Sequence, residues 1–196
     1  MREIIKMIVV LTVLSCFSGG LLAAIRGGTS ERIENQQLEF VKGPAIRNIL
    51  EGSSNDPIAD RFKIKDGNIE RSFFVGVFDG KANTVAFESF GGGFGGDIGL
   101  MVGVNIDDDK IISIGVTTHS ETPGVGSRAK SDPKLSNQFK GLDLIKSFKV
   151  KADGGEIDAM SGATVTSRGV CSGITEAGNV YKRLKSQITE KIKKIS

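Results

Sequence analysis

Residues 73–116 decide the fold, because two pairs of apolar segments there are each interrupted by a turn. The first pair is Phe73-Phe74-Val75-Gly76-Val77-Phe78 and, beyond Asp79-Gly80, Thr84-Val85-Ala86-Phe87. The second pair is IGLMVGV at 98–104 and KIISIGV at 110–116, on either side of Asp107-Asp108-Asp109. Short β-branched and aromatic runs joined by such turns are typical of antiparallel hairpins. The three aspartates lack the spacing of a calcium-binding loop, so we interpret them as a solvated turn.

A helical pattern follows Thr164. Apolar residues recur there every three or four positions, the period of an amphipathic helix: Val170, Ile174, Ala177, Val180, Tyr181 and Leu184. Ahead of the hairpins, residues 27–70 are polar and mixed, with a short helical signal behind Pro44. The sequence predicts an α+β protein with one domain at 71–185, made of antiparallel hairpins and a C-terminal helix, and a basic tail at 186–196.

The N-terminus carries a membrane segment. From Met7 to Ile25 there are 19 consecutive uncharged residues, enough for a helix to cross the hydrocarbon core of a bilayer. A cleaved signal peptide, with a faint cleavage site at Leu22-Ala23-Ala24, and a lipoprotein signal ending at Cys16 remain alternatives. We favour an uncleaved single-pass anchor at 1–26, because the apolar run is longer than a signal peptide needs. Arg2 and Lys6 favour an N-terminus that stays inside.

Composition excludes several classes of function. Two cysteines and one histidine in 196 residues rule out a disulfide framework and a multi-histidine metal site, and we predict no metal site. The net charge is +3, but residues 182–194 alone contribute +5. The basic character therefore belongs to the C-terminal end, and no interleaved aromatic residues accompany it. We predict no nucleic-acid partner.

Glycine is over-represented, with 26 residues, and five of them fall within 91–96 as GGGFGG. Gly91, Gly93 and Gly96 satisfy G-x-G-x-x-G, but a strand-like run follows instead of the helix that a dinucleotide site requires. Two interpretations stay open for this segment: a turn where the backbone passes close to a flat ligand, and a loose loop.

Two further patterns are candidates for chemistry. His119-Ser120-Glu121-Thr122-Pro123-Gly124-Val125-Gly126 follows a strand and contains a rigid Thr-Pro-Gly turn, a place where binding residues tend to lie. Asp158-Ala159-Met160-Ser161-Gly162-Ala163-Thr164 runs into the C-terminal helix, whose unpaired N–H groups favour phosphate. From the residues alone, a helix start capped by Ser161 or Thr164 is the simpler interpretation.

Both patterns resemble one family. Residues 158–164 resemble the flavinylation motif D-x-x-(S/T)-G-A-T of the FMN-binding domain, and residues 119–126 resemble its H-x-E-T-P-G-L-G loop, with Val125 in place of leucine. Gly96-Asp97-Ile98 and Val102-Gly103, which precede both motifs, resemble the G-x-I…V-G stretch of the same family. With its anchor and length, the chain resembles the G subunits of the Rnf electron-transport complex. The related C subunits of sodium-pumping NADH:quinone reductase share anchor and motif but are usually longer.

The resemblance implies a covalent cofactor and its site. A flavin transferase would link FMN by a phosphodiester to Thr164, which makes the chain formally a phosphoprotein. Asp158 would assist that transfer by holding a metal in the transferase, while Ser161, Gly162 and Ala163 would leave Thr164 accessible. The ring-binding candidates are the loop residues His119, Glu121, Thr122, Pro123 and Gly124.

The resemblance also implies a function. It predicts an electron carrier, with the FMN domain on the extracytoplasmic side of the cytoplasmic (inner) membrane, in a complex that couples ferredoxin:NAD⁺ electron transfer to ion translocation. The expected partners are the other subunits of that complex, a flavin transferase and membrane lipid. Alternatives are the C subunit of the sodium-pumping reductase, an anchored FMN protein of another extracytoplasmic electron route, and a structural anchor protein without cofactor. Fluorescence of the denatured band and co-purification with a complex distinguish these possibilities.

Overall fold

The computed structural model describes residues 2–194 and divides the chain into two compact units, one ending at Phe40 and the other beginning at Val41. Met1 of the predicted anchor, and Ile195 and Ser196 of the predicted tail, lie outside the described residues. Each unit is treated by itself below.

The first unit is dominated by helix α1, Arg2–Gln36, followed by a π-helical turn at Gln37–Lys42 that runs into the second unit. Its segment Arg2–Thr29 has a mean hydropathy of 2.4 over its most apolar window, and none of that window is buried. Within the described residues this is the one helix long and apolar enough to cross a membrane. Its length and composition agree with the predicted N-terminal transmembrane helix.

The second unit is built on an antiparallel sheet in which the strands that the structure describes follow chain order. They are β1 Arg61–Asp66, β2 Ile69–Phe78, β3 Lys81–Gly92, β4 Asp97–Asn105 and β5 Ile111–Thr118. Both predicted hairpins are present. At the β2–β3 turn Asp79 and Gly80 have φ of 50° and 75°, and Phe78 pairs with Lys81. Two left-handed residues give the turn the twist that flanking strands need, which is why Asp-Gly marks it in the sequence.

The sheet begins before residue 71, the predicted start of the domain. β1 pairs with β2 from Arg61 opposite Phe74 to Asp66 opposite Ile69. It is an edge strand whose charged residues, among them Lys63 and Lys65, interrupt the apolar run on which a strand prediction depends. The polar composition of residues 27–70 concealed this strand.

Helix α5, Thr164–Ile192, packs across β3 and β4 and closes the main core. All six residues of the predicted apolar stripe are buried, and the stripe continues to Ile188 and Ile192. The helix thus extends into the range predicted as a basic tail. Its charged residues lie on the outer face, and Lys185 pairs with Asp109 in the β4–β5 turn at 2.6 Å.

The opposite face of the sheet is covered by the short helix α2, Gly43–Ile49. Val102 and Val104 face the core beneath α5, whereas a Cβ on the intervening Gly103 would lie 2.3 Å from the Ile49 side chain. Because successive side chains of a strand point to opposite faces, β4 is buried on both. This explains why 98–104 is a continuous apolar run rather than an alternating one.

Backbone contact between β3 and α5 positions the N-terminal end of that helix. A Cβ on Gly91 would lie 1.9 Å from the carbonyl oxygen of Gly169, and one on Gly169 would lie 2.7 Å from that of Gly92. The buried Ser89 hydroxyl donates to the carbonyl of Gly173 at 2.8 Å. The start of α5 is therefore held beside the β3–β4 loop.

Residues 119–163 connect β5 to α5 through short helical turns. These are α3 Arg128–Ser131, α4 Pro133–Ser136, and 3-10 turns at Asn137–Phe139 and Lys151–Asp153. This connection returns the chain from the end of β5 to the beginning of α5. Both sequence motifs lie within it or directly beside it.

Candidate functional site

Thr164 is the first residue of α5. The preceding Ala163 makes no side-chain capping bond, so neither Ser161 nor Thr164 caps the helix, against the simpler interpretation of this motif. Ser167 N–H donates to the Ala163 carbonyl at 3.0 Å. This is the first bond of the helical pattern. The N–H groups of Thr164, Val165 and Thr166 come earlier in the chain and therefore have no acceptor within the helix. A half-buried threonine hydroxyl thus lies at the positive end of a 29-residue helix, beside three N–H groups without an acceptor within the helix.

The turn before α5 is open on its outer side. Ser161 and Gly162 are exposed, and Gly162 has a φ of 76°, a left-handed conformation that favours glycine. Inside the turn, the buried Ser167 hydroxyl accepts from the N–H of Met160 at 2.9 Å and donates to the carbonyl of Ala163 at 3.0 Å. Ser167 therefore fixes the motif from within. No signal in the sequence distinguished it from any other helical serine.

Asp158 is exposed and forms an ion pair with Lys151 at 2.8 Å. Its backbone is held by Gln138, whose Oε1 accepts from the Asp158 N–H at 2.7 Å and whose Nε2 donates to the Asp158 carbonyl at 3.1 Å. The carboxylate is thus displayed at the surface on a fixed backbone. Gln138 lies 20 residues earlier in the chain, too far for the motif pattern to have found it.

Arg128 joins the two motifs. Its Nη2 donates to the carbonyl of Ser161, and its Nε donates to the carbonyl of Val125 at 3.1 Å. One guanidinium from α3 thereby ties the 119–126 segment to the turn before α5. Its fork of donors suits two carbonyl acceptors at once.

Glu121 is a buried charge, with 5% of its surface exposed. Its carboxylate accepts from the hydroxyl of Thr166 in the first turn of α5 and from the N–H group of Gly95 at 2.9 Å. Burial alone would raise the pKa of Glu121, but these hydrogen bonds and the nearby His119 outweigh it and hold the pKa below its ordinary value. Glu121 therefore connects α5, the β3–β4 loop and its own segment.

The glycine-rich segment is an ordered turn rather than a loose loop, while close approach of its backbone to a flat ligand stays a prediction. Gly93 N–H donates to the Gly96 carbonyl at 2.8 Å, and a Cβ on Gly95 would lie 2.0 Å from the carbonyl oxygen of Ser120. Gly91 and Gly95 permit close contact between protein backbones, whereas a Cβ on Gly92 or Gly96 would meet nothing within 4 Å. Phe94, at the tip of this turn, stays exposed.

The start of α5, the 119–126 segment and the glycine-rich turn enclose a cavity of about 440 Å³, called the attachment cavity below. Its walls are formed by Phe94, Glu121, Thr122, Val125, Gly126, Gly162, Ala163, Thr164, Val165 and Thr166. The volume falls within the range of small-molecule sites. Exposed apolar side chains beside helix N–H groups that have no acceptor within the helix suit a ligand with a flat apolar ring and an anionic phosphate.

The structure brings together only some of the predicted site residues. Glu121, Thr122, Gly162, Ala163 and Thr164 line the attachment cavity. Asp158 and Ser161 line a neighbouring cavity of about 280 Å³ together with Arg128 and Gln138. Within the described residues, the walls of these two cavities do not include His119, Pro123 or Gly124. The His119 Nδ1 instead accepts from the N–H of Glu121 at 3.3 Å.

A larger cavity, about 550 Å³, lies between α5 and residues 147–153. It contains none of the predicted site residues among the described ones. Two of its four charged residues, Asp153 and Arg168, pair with each other through two hydrogen bonds of 2.7 Å, and the other two are Lys149 and Glu176. The smaller attachment cavity is the candidate site, because predicted site residues line it.

Comparison with known proteins identifies the class to which this fold and cavity belong. Residues 93–179 match the FMN-binding domain family, a range that contains most of the glycine-rich turn, both motifs and the first half of α5. The chain is 32% identical to the G subunit of the ion-translocating oxidoreductase complex of Methanosarcina acetivorans, over 90% of this chain and 93% of that protein. It is also 32% identical to the G subunit of the proton-translocating ferredoxin:NAD⁺ oxidoreductase complex of Clostridium ljungdahlii, over 84% of each. The chain belongs to the family of G subunits of ion-translocating oxidoreductase complexes.

Solved structures share the fold. The C subunit of the Na⁺-translocating NADH-quinone reductase of Parabacteroides distasonis superimposes with a TM-score of 0.58 at 22% identity, over 76% of this chain and 94% of that one. NqrC of Shewanella oneidensis gives 0.53 at 25% identity, over 71% and 72%. The predicted α+β FMN-binding fold is confirmed.

Proposed function

We propose that this chain is a membrane-anchored electron-transfer flavoprotein whose FMN is joined to Thr164 by a phosphodiester. It serves as an electron-carrying subunit of an Rnf-type complex that couples electron transfer between ferredoxin and NAD⁺ to ion translocation. The family membership supports the complex, and the match to the FMN-binding domain supports the cofactor.

The observation that carries the attachment site is the position of Thr164. Its hydroxyl belongs to a half-buried residue in the wall of the attachment cavity, at the first position of a long helix without a side-chain cap. A phosphodiester there would receive hydrogen bonds from the amides of Thr164, Val165 and Thr166 and would lie at the positive end of the helix. The apolar walls formed by Phe94, Val125 and Val165 would accommodate the ring.

Attachment requires an activated donor. Forming the Oγ–P bond releases the hydroxyl proton of Thr164 and must expel a group from phosphorus, and a free phosphomonoester offers only a poor leaving group. A flavin transferase using a flavin dinucleotide, from which a nucleoside monophosphate leaves, balances the reaction. Asp158 and Ser161 border the neighbouring cavity on the outer side of the turn, where a transferase would approach.

Bound FMN would supply one- and two-electron redox chemistry, while the protein sets its position and environment. Glu121 holds a fixed negative charge in the wall of the attachment cavity, and its bond to Thr166 keeps that charge close to the start of α5. A covalent tether suits a carrier that works outside the cytoplasmic membrane, where a dissociated cofactor would be lost by dilution.

The anchor and partners follow from the rest of the chain. Helix α1 is apolar enough to lie in lipid, and Arg2 and Lys6 favour a cytoplasmic N-terminus, which leaves the FMN domain extracytoplasmic. The other subunits of the complex are the expected protein partners.

Replacing Thr164 with valine tests the attachment site. The full chain is produced together with a flavin transferase in a host that exports the FMN domain. The denatured protein is then examined for ultraviolet-excited fluorescence and for mass. Thr164→Val should abolish the fluorescence and the mass increment of one FMN, because it removes the nucleophilic oxygen and keeps the shape of the side chain.

Thr164→Ser is the matched control, since it keeps the hydroxyl and should keep detectable labelling. Persistent fluorescence in the valine variant would refute Thr164 as the site. An unlabelled wild-type chain in the presence of active transferase would refute covalent attachment as a whole.

A further inference from the structure

Phe94 is an unusually exposed aromatic residue. In the described part of the second unit it is the most exposed large apolar side chain, at 73%. It lies at the tip of the β3–β4 turn and forms part of the wall of the attachment cavity. Burying this exposed aromatic ring against a ligand in the cavity would remove apolar surface from water and so favour binding.

The turn that carries Phe94 is held in place. The N–H group of Gly95, the residue after Phe94, donates to Glu121 at 2.9 Å, and the other carboxylate oxygen accepts from Thr166. Thr166 lies two residues beyond Thr164 in the first turn of α5. The tip of the turn and the proposed attachment residue are therefore linked through a single buried carboxylate.

Two further exposed apolar side chains border the same cavity. Val125, 39% exposed, comes from the segment after β5, and Val165, 43% exposed, follows Thr164 directly. Three chain segments thus each present one apolar side chain to a single space. Aromatic rings favour offset stacking on other flat π-systems, and aliphatic side chains pack against ring faces.

We infer that Phe94 covers the isoalloxazine ring in the attachment cavity, packing on it opposite Val125 and Val165 and shielding it from water. This rests on the proposed function, because the ring is brought there by the bond to Thr164. The glycine-rich turn then has a defined purpose. It places the Phe94 side chain over the cofactor, and Glu121 holds that turn at a fixed position relative to Thr164.

The experiment measures access of iodide to the flavin. Full-length wild type, Phe94→Ala and Phe94→Leu are labelled by transferase, and iodide quenching of flavin fluorescence is recorded in the folded protein. Phe94→Ala should raise the quenching constant at least about twofold, with Phe94→Leu intermediate, because the area removed from water scales with the side chain. Fluorescence of the denatured bands should be equal, because Phe94 does not take part in attachment.

Phe90→Ala is the control. Phe90 is also on β3 and 50% exposed, but it is not part of the cavity wall, so its removal should leave quenching unchanged. Equal quenching in wild type and Phe94→Ala, both labelled, would overturn the inference and leave the proposed function intact. An equal rise in Phe90→Ala would also overturn it, since the effect would then be general loosening.

Failure of attachment gives a separate outcome. If the wild type carries no covalent flavin, its affinity for added FMN is measured by fluorescence titration. Weaker binding by Phe94→Ala than by Phe90→Ala would support the contact with the ring while the proposed linkage fails. Equal binding by both variants would overturn the contact as well.

Discussion

At the scale of single residues, Glu121 does more for the site than its place in a loop motif indicates. The sequence indicated it as a ring-binding candidate beside a lone histidine, and the structure places its carboxylate between Thr166 and Gly95. A carboxylate that accepts several hydrogen bonds is stabilised in its charged form. Whether it also touches the ring stays a prediction, while its bonds to the other segments are part of the fold.

Replacing Glu121 with glutamine should destabilise the second unit. Glutamine keeps the shape but loses the charge, and one of its amide donors would face the Thr166 hydroxyl or a backbone N–H. We expect Glu121→Gln to lower the free energy of unfolding by about 1–3 kcal/mol at pH 7, the usual cost of a mismatched buried polar group. Denaturant unfolding of the full chain in detergent measures this.

The effect should depend on pH with a definite sign. The pKa of folded Glu121 lies below its ordinary value of 4.5, so its stabilisation is complete above that value and is lost as pH falls through the folded-state pKa. The difference between wild type and Glu121→Gln should therefore shrink as the pH is lowered from neutral to about 3. Exposed Glu156→Gln is the control, with an expected change within about 0.5 kcal/mol. A difference independent of pH would contradict this account of the charge.

At the scale of elements, the contact between β3 and α5 determines where the site lies. Gly91 and Gly169 allow the helix backbone to approach the strand more closely than a Cβ would permit. That approach places the first turn of α5 beside the glycine-rich turn at the end of β3. Thr164 therefore reaches the attachment cavity through packing that occurs further along the helix, at Gly169.

Gly169→Ala tests this contact. Alanine would favour the helix by about 1 kcal/mol through propensity, but its Cβ would lie 2.7 Å from the Gly92 carbonyl oxygen. We expect a net destabilisation of about 1–3 kcal/mol, as is usual for overpacking, measured by thermal or denaturant unfolding.

Ser172→Ala, on the exposed face of the same helix, separates packing from propensity and should be neutral or slightly stabilising. If Gly169→Ala proved as stable as Ser172→Ala, the close approach would not constrain the helix.

At the scale of the whole molecule, the proposed topology has α1 in the membrane and the FMN-binding unit outside the cytoplasm, and it can be tested. A version of the chain beginning at Gly27 retains every described strand and α5, so it should fold without the membrane segment. Kept in the cytoplasm of a host whose transferase acts only outside, it should be colourless. Behind a cleavable export signal, with transferase supplied, it should become yellow and gain the mass of one FMN.

Two results would contradict this topology. Covalent flavin on the cytoplasmic version would mean that attachment needs no exported transferase. A reporter fused after Ser196 that proved cytoplasmic in the full-length protein would reverse the orientation. The colour and the reporter thus test the chemistry and the topology separately.

The sequence by itself determined the features that depend on local order along the chain. The apolar run of 7–25, the Asp-Gly hairpin turn and the period of the α5 stripe each express a rule that acts over a few residues. The predicted hairpins and helix are accordingly present in the structure. Residues 158–164, which resemble a flavinylation motif, are also a continuous stretch, so the candidate attachment residue Thr164 could be predicted from the sequence.

The tertiary structure decided everything that depends on residues distant in the chain. β1 remained hidden because an edge strand keeps charged side chains and needs β2 to form. Arg128, Gln138, Thr166 and Ser167 gained their roles only when folding placed their side chains against the two motifs. Glu121 connects separate segments because its carboxylate is buried. A charge removed from water needs hydrogen-bond donors around it, and these come from residues distant in the chain.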